Sequence, residues 1–208
     1  MASDKEKDIE ALNNEEGENQ EKEESTFGFY KGLLGQKKYR DENLTNTVKA
    51  AAKKLSLHTE TASNKVKGSG LEDDQTKNAL VDVGQDLKEF ADQAKALLQK
   101  DAEMCKKKFS TSGTSYNTYN SVQKISDTLG KNFTDKKSPE ETANTIKINK
   151  IDRYVKDFEK YAGKLKKDAV FSNAKDEIVT AAKALSKLFD TVMSAIDKTD
   201  EEDKNIAE

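Results

Sequence analysis

The stretch DQTKNALVDVGQDLKEFADQAKALLQKDAEMCKKKF, residues 74–109, decides the fold class. Leu80, Val83, Leu87, Phe90, Ala94, Leu97, Leu98, Asp101, Met104 and Cys105 follow one another mostly at three- and four-residue steps, with Phe109 near the end. An α-helix turns once every 3.6 residues, so this spacing gathers them on one side. A helix of that length spans roughly 50 Å. Gly84 lies inside it and permits a close helix crossing or a slight bend.

The same spacing extends in both directions. Upstream, Leu44, Val48, Ala51, Ala52, Leu55, Ala62 and Val66 predict a helix over 42–67. Asp41 is its expected cap, and Gly68-Ser69-Gly70 its expected end. Downstream, Ser110 to Ser115 forms the strongest break in the body. A shorter helix is expected over 116–129, with Tyr116, Tyr119, Val122, Ile125 and Leu129 on one side and Gly130 closing it. Ser138-Pro139-Glu140-Glu141 reads as a capping box that opens the next helix. That helix is expected to carry Ile146, Ile151, Tyr154, Val155, Phe158, Tyr161, Ala162 and Leu165. The last, over 173–197, carries Ile178, Ala181, Ala182, Leu185, Leu188, Phe189, Val192 and Ile196, with Ser172 or Asn173 as cap. Short connections make sequence neighbours antiparallel. The expectation is an all-α antiparallel bundle of four to five helices spanning 27–197.

Composition limits the chemistry. Of 208 residues, 36% are charged and 34% hydrophobic, with one Cys, one His, one Pro and no Trp. A single Cys makes no internal disulfide, and one Cys with one His builds no zinc finger or three-His zinc site. No apolar run is long enough to cross a membrane as a helix. A core of so little apolar material has to be a narrow seam between long helices.

Charge is unevenly placed. Residues 1–26 hold ten acids against three Lys, a net of −7, and residues 197–208 hold six against two, a net of −4. With the whole chain at −3, residues 27–196 carry about +8. Residues 1–26 are expected to be a disordered acidic tether and 198–208 a disordered acidic tail. Between tether and bundle lies an apolar island, 27–39. Its Phe27, Phe29, Tyr30, Leu33 and Leu34 are expected to plug one end of the bundle. The start, Met-Ala-Ser-Asp-Lys-Glu, has no apolar stretch of signal-peptide type. Cytosolic residence and a mature exported form both fit it, and the polar tether favours the second.

Candidates for catalysis are few. His58 lies among Leu55, Leu57, Thr59 and Ala62, and nothing nearby in the sequence implies an orienting partner or a nucleophile. It reads as a surface or core-edge side chain. Cys105, followed by three Lys, reads as a small buried seam residue. No phosphate-binding, dinucleotide-binding or nucleophile-elbow motif occurs. Neither enzyme activity nor a cofactor or metal is expected.

Binding is better supported. Lys is dense at Lys106, Lys107, Lys108, Lys131, Lys136, Lys137, Lys164, Lys166 and Lys167. The loops 110–118 and 130–138 are expected to present Tyr116, Tyr119 and Phe133 beside those lysines. The candidate partner-binding set is therefore Lys106, Lys107, Lys108, Tyr116, Tyr119, Lys131, Phe133, Lys136 and Lys137. Aromatic plus cation suits a protein interface and also sulfated polysaccharide. Nucleic acid is not expected, because only Arg40 and Arg153 are arginines in a moderately basic body.

The acidic leading spacer, the Lys/Glu/Asn/Thr-rich helices and stretches such as Ala182-Lys-Ala-Leu-Ser-Lys-Leu-Phe189 resemble the helical surface lipoproteins of Borrelia spirochaetes. That group includes the variable small proteins and outer surface protein C, the decorin-binding proteins, and the complement regulator-acquiring, factor H-binding lipoproteins. The resemblance covers the whole chain. It implies a tethered bundle on the bacterial outer surface that captures a host serum protein, complement factor H first, and so evades immunity. A heparin-like glycosaminoglycan or matrix ligand, a variable surface antigen and an intracellular helical scaffold are the alternatives. Membrane contact is expected only through a lipid anchor, which this chain does not itself contain.

Overall fold

Two aspartates set the first two helices. The computed structural model describes residues 41–130, 138, 141, 150–167 and 169–207. The Leu44 N–H donates to the Asp41 carboxylate at 2.8 Å and starts helix α1, Glu42–Ser69. The Thr76 N–H donates to Asp73 at 3.0 Å and starts α2, Asp74–Met104. Each aspartate satisfies an N–H that the first turn leaves without a partner. Between them Gly70, at φ 74°, closes α1 by donating its N–H to the Val66 carbonyl at 3.0 Å. Helix α3 covers Thr114–Ile125 and widens into a π turn, Ser126–Gly130. Helix α4 is Ile151–Gly163, and a 3₁₀ turn, Ser172–Ala174, leads into α5, Lys175–Ile206. No strand occurs among the described residues.

The helices pack as the sequence order suggests. Helix α1 lies against α2, α2 against α3, α3 against α4 and α4 against α5, and α5 returns to α1. Lys65 meets Gln75, His58 meets Asp86 and Lys54 meets Glu89, so one number falls as the other rises. That order makes α1 and α2 antiparallel, and it puts the start of α1 at the same end as the finish of α2. The all-α bundle is thus realised with five described helices.

Leu55, Val83, Leu87, Phe90, Leu97, Ile125, Phe158, Leu185 and their neighbours form one buried cluster. Phe90 of α2 meets Phe158 of α4 with ring centroids 6.0 Å apart. Each such side chain, fully buried, contributes roughly 1.5–3 kcal/mol.

Four boundaries differ from the expectation, and three have a physical cause in the chain. Helix α2 stops at Met104, five residues before 109. Lys106 adopts the left-handed conformation at φ 51°; its N–H donates to the Glu103 carbonyl at 3.0 Å and the Lys107 N–H to the Ala102 carbonyl at 2.9 Å. This pair of bonds is the Schellman stop, with Lys where Gly is usual. Met104 and Phe109 are consequently left 37% exposed. The helix expected to run without a break from the capping box to 165 is interrupted, because Lys150 sits at φ 53° and α4 begins after it. The capping box itself is present: the Ser138 N–H donates to Glu141 at 2.9 Å, and the Glu141 N–H to the Ser138 hydroxyl at 3.2 Å. Neither Ser172 nor Asn173 caps α5; the 3₁₀ turn takes that place. Helix α5 runs to Ile206 through the run expected as a disordered tail, since Glu and Lys extend a nucleated helix at little cost. The expected tether, the 27–39 plug and Ile146 lie outside the described residues, as does the side chain of Leu129.

A non-glycine residue in the left-handed region costs about 1–2 kcal/mol, part of which glycine's greater freedom in the unfolded chain offsets. Replacing Lys106 with Gly should therefore raise the unfolding free energy by about 1 kcal/mol, measured by urea denaturation. Cys105 is 9% exposed. Its thiol should label slowly in the native protein and quickly in denaturant.

Candidate binding site at the α2–α3 turn

The Schellman stop turns the chain through residues 105–113 into α3, and a cleft of about 340 Å³ opens at that turn. Leu98 of α2, Phe109, Tyr116 of α3 and Val170 from the α4–α5 connection form apolar walls. Phe109 and Tyr116 meet edge to face with centroids 6.1 Å apart, and Tyr116 meets Tyr119 at 5.8 Å. The polar lining includes Asp101, Lys107 and Ser115. Asp101 is 3% exposed at the last turn of α2, and the Lys107 ammonium lies 3.5 Å from it. An acid there opposes the helix dipole, so a cation at that distance offsets both the dipole and the burial.

Several residues singled out in the sequence meet here. Lys106 and Lys108 are exposed beside the cleft, Lys107 is folded back onto Asp101, and Tyr116 is half-buried in the wall. Exposed Lys164, Lys166 and Lys167 belong to the connection that supplies Val170. The Lys175 ammonium donates to the Leu165 carbonyl at 2.6 Å, which pins that connection to α5. Tyr119 corrects the expectation of a presented aromatic. It is 7% exposed and packs into the core, and burial pushes its hydroxyl above the usual tyrosine range. Its position one turn after Tyr116 and one turn before Val122 already puts it on the apolar stripe. Lys131, Phe133, Lys136 and Lys137 lie outside the described residues.

A second polar cluster was not foreseen. Asp86 of α2 is 3% exposed, and both its oxygens face α1. His58 Nδ1 is hydrogen-bonded to one oxygen at 2.5 Å, and the Lys54 ammonium lies 3.7 Å from the other. Lys54 also donates to Glu89 at 2.8 Å, and its pKa is raised chiefly by that bond. His58 therefore has an orienting carboxylate, contrary to the sequence reading. The signal was an acid between Val83 and Phe90 on the apolar stripe. Orienting a histidine is one part of a catalytic set, and a nucleophile within its reach would be the other. Among the described residues, no three His, Cys, Asp or Glu side chains gather to hold a metal.

No family model matches the chain, and no curated protein or solved structure matches it either.

Burial holds the Asp86 carboxyl above the ordinary 3.8, while His58 and Lys54 pull it down. The folded protein therefore binds this proton more tightly than the unfolded chain does. The stability from that difference is present in full below pH 3.8 and is lost as pH rises through the raised folded value. Asp86→Asn should flatten this part of the pH profile and change neutral-pH stability little, because His58 and Lys54 keep access to water. His58→Ala leaves the buried carboxylate short of a partner and should cost about 1–3 kcal/mol at neutral pH. Urea titrations of both variants across pH check the pair.

Proposed function

We propose that the protein is a surface-exposed, host-protein-binding lipoprotein of the spirochaete type that recruits a complement regulator such as factor H. The observation that carries this reading is the α2–α3 end, where Met104, Phe109 and Tyr116 keep exposed apolar surface beside exposed Lys106 and Lys108. Aromatic anchors in a shallow cleft with a charged rim are what a protein interface requires. The resemblance of the acidic spacer and Lys-rich helices to spirochaete surface lipoproteins supplies the class of partner. A regulator held at the surface would stay active and limit complement deposition there. The mechanism is capture rather than turnover, and it needs no cofactor.

A heparin-like glycosaminoglycan is the second reading, favoured by Lys106 and Lys108 together with Lys164, Lys166 and Lys167. Pairing of Lys107 with Asp101 weighs against it, since that lysine's charge is already partnered. Among the described residues no helix is long and apolar enough to cross a membrane.

A pull-down from serum at physiological salt tests the choice. Factor H should be retained, should survive heparin competition, and should be lost at least about tenfold on Phe109→Ala, as for a residue contributing more than 1.4 kcal/mol. Failure to retain factor H removes the first reading. Retention on heparin that disappears when Lys106, Lys107 and Lys108 become Glu establishes the second.

A further inference from the structure

The cleft opens at the end of the bundle where residues 1–40 join it. Thirteen residues back along α1 from Lys54 is Asp41, and thirteen on along α2 from its partner Glu89 is Ala102, which lines the cleft. The start of α5 stands at the same end, since Lys49 in the second turn of α1 lies 3.5 Å from Glu177. Val170, the wall supplied by the α4–α5 connection, comes five residues before α5. Asp41 and the cleft are therefore one to two helix spacings apart, roughly 10–20 Å.

The surface left open there has a definite chemistry. Phe109 and Met104 are 37% exposed, and Tyr116 and Val170 are only partly covered by the core. The rim carries one sign of charge. Lys106, Lys108, Lys164, Lys166 and Lys167 are exposed, while Lys107 is paired with Asp101. The complementary occupant offers large apolar side chains next to a run of acids.

Such a stretch stands just ahead of α1. Residues 27–34, FGFYKGLL, supply Phe27, Phe29, Tyr30, Leu33 and Leu34. Residues 18–24 before them hold Glu18, Glu21, Glu23 and Glu24 against Lys22. A chain covers at most about 3.3–3.6 Å per residue, so the step from Leu33 to Asp41 can span roughly 26 Å, enough to reach the cleft. A second copy of the protein is a poorer occupant, because a two-fold contact here would set the lysine rim against itself.

We infer that the cleft is covered in cis by this apolar island, with residues 27–34 resting on Phe109, Tyr116 and Val170 and the acids of 18–24 over the lysine rim. The plug expected of residues 27–39 thereby acquires a seat. Its connection to α1 holds the island at an effective concentration of about 1 mM, so a contact of only about 0.1 mM affinity is closed about ten times as often as open. Any partner for this end competes with the island, and the inference holds whether or not factor H is that partner.

Hydrogen–deuterium exchange and NMR on the full-length protein test it. Amides 29–34 should exchange about tenfold more slowly than the same amides in the double variant Phe109→Ser, Val170→Ser, whose island is unaltered. Both positions already meet solvent, so that variant should keep its helical circular dichroism. Overhauser contacts in the unaltered protein should join the Phe29 or Tyr30 ring to the Val170 methyls. In the converse variant, with Phe29, Tyr30, Leu33 and Leu34 changed to Ser, the cleft is open. Anilinonaphthalenesulfonate, an apolar dye with one negative charge, should then bind about tenfold more tightly, and adding Phe109→Ser should abolish the gain. Changing Glu18, Glu21, Glu23 and Glu24 to Gln should release part of the protection of 29–34, and about 0.5 M NaCl should do the same by screening. Equal exchange of 29–34 in the unaltered protein and the cleft variant, Overhauser contacts to the far end at Leu71 instead, or dye binding indifferent to the island would overturn the assignment. Protection unmoved by the glutamine variant would overturn the placing of the acids.

Discussion

The bundle is organised around the apolar stripe of α2. With 34% of the chain hydrophobic, there is material for one seam and little more. Helix α2 lies between α1 and α3, and its Phe90 reaches α4 through Phe158. Helices α4 and α5 complete the ring, α5 packing on α4 and α1, with Leu55, Val155, Phe158, Leu185 and Leu188 entering the same cluster. The length of the stripe also decides where the seam ends. The Schellman stop at Lys106 finishes α2 before its last apolar residues can be covered, and the turn that follows exposes Phe109 and opens the cleft. The cleft is thus a consequence of where α2 stops.

Periodicity made most of this architecture legible. Val48, Leu55, Val83, Leu87, Phe90, Leu185 and Leu188 were assigned to helix faces by spacing alone, and all are buried. The Asp41 cap and the Ser138–Glu141 box are legible because a cap is a local event between residues three positions apart; the Asp73 cap of α2 is equally local but did not figure in the sequence reading. Helix ends set by a left-handed lysine were not. Neither Lys106 nor Lys150 is a residue type that marks a stop, yet both adopt the left-handed conformation. The cleft was only partly legible. The lysines and Tyr116 could be named, but the side on which Tyr119 falls and the involvement of Val170 depend on how helices distant in sequence meet.

The two buried acids of α2 connect stability to function. Each occupies a stripe position that an apolar residue would fill at less cost, and each meets side chains from outside the stripe, Lys54 and His58 at Asp86 and Lys107 at Asp101. A buried ion pair is poor value as stabilisation, because desolvation cancels most of the attraction. Its distinctive effect is on the alternatives. Lys54 and His58 stand one turn apart on α1 and approach opposite oxygens of Asp86. Sliding α1 by a turn would still bury apolar side chains against apolar side chains, but it would leave the carboxylate without one of its partners. Leaving that buried acceptor short of a partner costs about 1–3 kcal/mol, a noticeable part of the stability of an ordinary domain. In a seam of Leu, Val and Ala, that penalty favours the observed register. The register in turn sets the start of α1 and the finish of α2 at one end, where Asp101 and Lys107 repeat the device in the lining of the cleft.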